Sequence, residues 1–70
     1  MMPLAMANIG DKLQVLKING RDETRRFLAN LGFVEGSDVT VVSEMGGNMI
    51  VNVKDTRVAI DRAMANRIIV

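Results

Sequence analysis

DETRRFLANLGFVEGSDVTVVSE, residues 22–44, sets a helix with two marked ends, a glycine turn and a β-branched strand in direct succession. Thr24, Phe27, Leu28 and Leu31 recur at i, i+3, i+4 and i+7, the spacing of one helical face, and predict a helix over 22–31. Asp22 is placed to accept hydrogen bonds from free N–H groups of the first turn, and Glu23 suits its positive end. Gly32 follows the last apolar residue, where a left-handed cap needs a residue without Cβ. Phe33-Val34-Glu35-Gly36 then reads as a turn into a strand over 38–44, with Val39 and Val41 on one face.

Outward from this segment the chain reads as short strands. Residues 11–18 (DKLQVLKI) put Leu13, Val15 and Ile18 at strand positions before Asn19-Gly20 breaks the pattern. On the other side, Gly46-Gly47-Asn48 signals a hairpin. A strand over 49–54 follows, alternating Met49, Val51 and Val53 against Ile50 and Asn52. Asp55-Thr56 turns the chain into a strand over 57–61, with Val58 and Ile60 together. A helical turn over 62–66, capped by Asp61, precedes a closing strand, Ile68-Ile69-Val70. Strand, helix, three hairpin-linked strands, helical turn and strand make a mostly β chain, α+β by content. A small closed barrel over residues 1–70 gives the aliphatic side chains one interior and removes the exposed edges.

Seventy residues make one domain, with a thin stability margin expected of its size. There is no Cys or His, and Phe27 and Phe33 are the only aromatic residues, so the core is aliphatic. No apolar run approaches the ~20 residues that span a bilayer, and Met1 to Ala7 has no basic flank, so a cytoplasmic location is the default expectation. Nine basic and eight acidic residues are too balanced to attract nucleic acid or an anionic membrane by charge alone.

The candidate chemistry is sparse. Without His or Cys, proton transfer and nucleophilic attack fall to carboxylates, three lysines, Ser37 and Ser43. Asp11, Asp22, Glu23, Glu35, Asp38, Asp55 and Asp61 all stand at turns or helix starts, where capping accounts for them. Tight transition-metal sites draw on imidazole or thiolate. Met49 and Met64 suit packing better than ligation, although a weak carboxylate site stays open. Arg21, Arg25, Arg26, Arg57, Arg62 and Arg67 lack the aromatic platforms that small barrels use on single strands. No enzyme, no cofactor and no nucleic acid are expected; a protein-contact module remains.

The stretch from Arg25 through Leu31-Gly32-Phe33 and Gly36 to Val39 resembles the signature of the ferrous iron transport protein A (FeoA) family. The resemblance extends to Pro3-Leu4 and Gly10-Asp11 at the start, and to Val58 through Arg62 and on to Ile68 at the close. It implies an SH3-like barrel with one inserted helix, and a cytoplasmic accessory role in ferrous iron uptake. The implied partner is a membrane permease with a GTPase domain (FeoB-like), so the membrane would be met only indirectly. Met45-Gly46-Gly47-Asn48-Met49 keeps a glycine-containing turn but lacks the prolines and acid common in the family.

Arg25, Arg26, Phe27, Leu31, Gly32 and Phe33 are the candidate partner-binding residues, while Gly32, Gly36, Gly46 and Gly47 are structural turns. Phe27 has two readings, an anchor for a partner pocket or a core residue beside Leu28 and Leu31, of which burial is the plainer. Met45 and Met49 offer a soft contact surface or loop packing. Other classes kept open are a small-barrel nucleic-acid binder, a free-standing divalent-metal sensor like the C-terminal domain of iron-dependent repressors, and a weakly self-associating edge-strand protein.

Overall fold

A computed structural model describes residues 1–70. The sheet is built around a single long strand. β3 (Asp38–Met45) takes β1 (Lys12–Gln14) on one side and β4 (Asn48–Val53) on the other, and β5 (Thr56–Asp61) completes the order β1-β3-β4-β5. β2 (Lys17–Ile18) and β6 (Ile68–Ile69) form a second, two-stranded sheet, and every pairing is antiparallel. Register shifts between Val41 and Ser43, a bulge that bends the eight-residue β3 around the core.

Alternation does the packing. Val39, Val41, Met49, Val51 and Val53 are each almost wholly buried, while Asn52 between two of them is half-buried. Burying each such side chain stabilises by ~1.5–3 kcal/mol. Phe33 is the only aromatic ring in the cluster, which Leu4, Val15, Leu28, Ile60 and Ile68 complete.

α1 (Asp22–Leu31) runs between the residues its sequence predicts. Gly32 closes it at φ 109°, its N–H donating to the carbonyls of Leu28 and Ala29, in a conformation open to glycine and strained for any residue with Cβ. The N-terminal cap is a correction. Arg21 holds that position with no side-chain hydrogen bond, and Asp22 is the first helical residue, contributing only its charge at the positive helix end. α2 (Arg62–Ala65) follows the expectation for a capped turn, with the Met64 N–H donating to Asp61 Oδ1 at 2.8 Å.

Three further expectations change. The run 11–18 is not one strand: after buried Val15 the alternation slips, Leu16 faces solvent, and the chain passes from the large sheet to the small one. The turn expected at Asp55-Thr56 falls on Lys54-Asp55, with Val53 paired to Thr56 and φ of 48° and 60°. Two positive φ values form the hairpin turn that best matches strand twist; Gly46-Gly47 adopts it freely, whereas Lys54-Asp55 is held there under strain. A 3-10 turn, η1 (Leu4–Met6), was not anticipated. It drops Leu4 and Ala5 into the core, while Met2 and Val70 exchange backbone hydrogen bonds of 2.9 and 2.8 Å. The barrel is also not fully closed: β5 pairs with β4 alone, and its outer edge has no strand partner.

Candidate functional site

α1 is the least embedded element. Of its ten residues only Leu28 is buried; Thr24 and Leu31 are half-buried and the rest are exposed. A helix of this length is marginal in water by itself. Leu28, the Gly32 cap and the flanking Thr24 and Leu31 therefore carry its attachment, and its remaining surface is free.

The candidate contact residues divide across this surface. Arg25 and Arg26 are exposed. Phe27 is 51% exposed, so the plainer expectation of burial with Leu28 and Leu31 is corrected: the inward stripe is Thr24, Leu28 and Leu31, and Phe27 sits on its rim. Leu31 packs half-buried against the core, and Gly32 is held by its capping bonds, with Val53 Cγ2 3.4 Å from where a Cβ would stand. Phe33 is corrected as well. It is 1% exposed, the largest fully buried side chain, so it supports the helix from below and presents no ring to a partner. Met45 projects from the β3–β4 hairpin at 70% exposure, whereas Met49 beside it is core.

Arg25, Arg26 and Ala29 on α1 face Ile18, Val34 and Glu35 across an open groove of ≈ 560 Å³ floored by Phe33. The helix thus offers two separate features, a groove edged by two guanidinium groups and one carboxylate, and an apolar knob, Phe27, that does not line it. A larger concavity, ≈ 820 Å³, lies between the turn after α1 and the β4–β5 turn. It is polar, lined by Glu35, Asp38, Asp55 and Lys54, with Val34 its only hydrophobic residue. No three acidic side chains anywhere come close enough to hold a metal ion. Asp11 is engaged structurally, its Oδ2 accepting from Asn8 N–H at 2.9 Å, and Asp61 caps α2. Ser37 Oγ is buried without a partner and has no imidazole to activate it. No helix is long and apolar enough to cross a membrane.

A partly open, bulged β-barrel of six strands with a helix lodged before its longest strand defines an SH3-like domain. The family model described as "FeoA domain" matches residues 2–70, and the chain belongs to the FeoA family. A curated protein of Methanocaldococcus jannaschii, provisionally named Fe(2+) transport protein A, is 33% identical over 70 residues, all of this chain and 85% of that protein. The crystal structure of an iron uptake regulatory protein (FeoA) superposes with TM-score 0.89 at 33% identity, covering 96% of this chain and 89% of the other. FeoA of Stenotrophomonas maltophilia, crystallised with zinc and described as a prokaryotic SH3 domain protein, superposes with TM-score 0.85 at 28% identity, covering 99% and 88%.

Proposed function

We propose that this chain is a non-enzymatic accessory protein of ferrous iron uptake that acts by docking α1 onto the cytosolic GTPase domain of a ferrous permease. Family membership and the iron-transport names of the relatives support the pathway. Fe(II) is then the permease's cargo, and this chain has neither the imidazole nor the thiolate donors of a tight carrier. The carboxylates that could do acid–base work are spread over caps and turns, which supports a contact role over a catalytic one.

The observation that carries the reading is the half-exposed ring of Phe27 on a helix whose outer face is otherwise polar apart from Ala29. A large side chain that the core leaves uncovered is the kind that anchors interfaces, where truncation typically costs ~2 kcal/mol or more of binding. Arg25 and Arg26, on the groove side of the same helix, supply steering toward an acidic surface. Titrating the isotopically labelled protein with the permease's GTPase domain, with and without a GTP analogue, tests the proposal. Amide shifts concentrated on 21–36 are expected. Silence at high partner excess in both nucleotide states would reject the docking site.

A further inference from the structure

The outer edge of β5 has no strand partner. Its two-residue turn makes Val53–Thr56 the first hydrogen-bonded pair with β4, so Val51–Val58 and Met49–Ile60 are the next such pairs. By the same alternation Arg57 and Ala59 turn their N–H and C=O groups, and Asp61 its N–H, away from β4, toward an edge where no strand lies; the Asp61 carbonyl opens α2. None of the backbone hydrogen bonds made outside the helices and strands involves these three residues. All three side chains are exposed, and the backbone stays extended through Asp61, at φ −79° and ψ 170°. An exposed edge of this kind is a template for another strand unless something blocks it. β5 has no proline and no bulge, the side chain at its centre is alanine, and its two outward charges, Arg57 and Asp61, are of opposite sign.

The order of side chains selects the occupant. Arg57 and Asp61 stand equally far in sequence from Ala59 and on the same face. We infer that β5 is a self-association edge whose occupant is β5 of a second copy, antiparallel, with the two-fold axis at Ala59. In that register the two Ala59 residues exchange both backbone hydrogen bonds, and the Asp61 N–H of each copy donates to the Arg57 carbonyl of the other, the Asp61 carbonyl being taken by α2. On the outer face each Arg57 guanidinium lies opposite an Asp61 carboxylate, with only methyl groups between the two pairs. Arg57 donates weakly, Nε to Asn52 Oδ1 at 3.5 Å, and Asp61 uses Oδ1 for α2, leaving a carboxylate oxygen for the pair. On the inner face only half-buried Val58 has apolar surface left to offer, since Ile60 already belongs to the core of its own copy. A parallel arrangement would set arginine beside arginine, so charge fixes direction as well as register. This surface lies apart from α1, and the inference stands whether or not α1 docks a permease.

Sedimentation equilibrium from micromolar to millimolar concentration reads the outcome. The wild-type chain is expected to move from 7.7 kDa toward twice that mass as concentration rises. Ala59→Pro removes an outward N–H that bonds to nothing in the monomer, and should leave a folded protein that stays monomeric at every concentration. Arg57→Glu sets two carboxylates opposite each other in both symmetric pairs and should weaken association roughly tenfold. Asp61→Lys repels in the same way, and mixing it with Arg57→Glu should restore a mixed dimer, because each glutamate then meets a lysine and each arginine an aspartate. A wild-type mass fixed at 7.7 kDa to millimolar concentration overturns the inference. So does a dimer that survives Ala59→Pro, or a monomer whose edge instead captures an extended segment of another protein.

Discussion

The β3–β4–β5 sheet and α1 are joined in one small domain but held by different means. On the sheet, Val39, Val41, Met49, Val51 and Val53 are each at most 1% exposed and interdigitate from neighbouring strands. On α1 a single side chain, Leu28, is buried, and a glycine cap fixes the exit. The sheet therefore holds most of the stability, and the helix is a lightly attached element whose exposed surface the fold does not need. That difference leaves Phe27 uncovered on α1, the feature on which the proposed docking rests.

The comparison breaks first at Met49. Met49→Ala leaves a cavity under the hairpin end of the sheet at a cost of ~2–5 kcal/mol, comparable with the whole stability of a chain this small. Urea melts by circular dichroism should show the entire domain unfolding early. Leu28→Ala removes a similar volume but should act locally: the α1 amides lose hydrogen-exchange protection while those of β3 and β4 keep theirs. If both variants unfold the protein as a unit, the distinction between sheet and helix fails. A smaller effect, of opposite sign, sharpens the account of the turns. Replacing Lys54-Asp55 by Asn-Gly relieves two positive φ values and should raise stability by about 0.5–1 kcal/mol in the same melts.

Legibility in the sequence followed the same division of causes. α1 could be read to the residue because its capping glycine, its acidic first turn and its 3.6-residue period agree. The β3–β4 hairpin was visible because Gly46-Gly47 is the chemistry its turn demands. The β4–β5 turn was displaced by one residue because Lys54 carries no such mark; tertiary pairing holds it at positive φ. Strand 11–18 looked continuous because the slip in burial at Leu16 shows only when two sheets compete for the chain. In the candidate site, the four-residue helical template grouped Phe27 with Leu28, but the surface under α1 is narrower than that template and leaves Phe27 uncovered. Phe33, next to a glycine in an apparent turn, gave no sign that it fills the space beneath the helix. The β5 edge was hidden too, since closure of the barrel is a property of the assembled strands.

The central claim rests on Phe27, and its most direct test is the affinity of the wild-type chain and of Phe27→Ala for the permease's GTPase domain, measured by calorimetry beside a urea melt of each. Because the ring is half in solvent, stability should change by less than about 1 kcal/mol, while binding should weaken thirtyfold or more, by ~2 kcal/mol. Equal affinity of the two proteins, or a loss of binding matched by a loss of fold, would contradict the account.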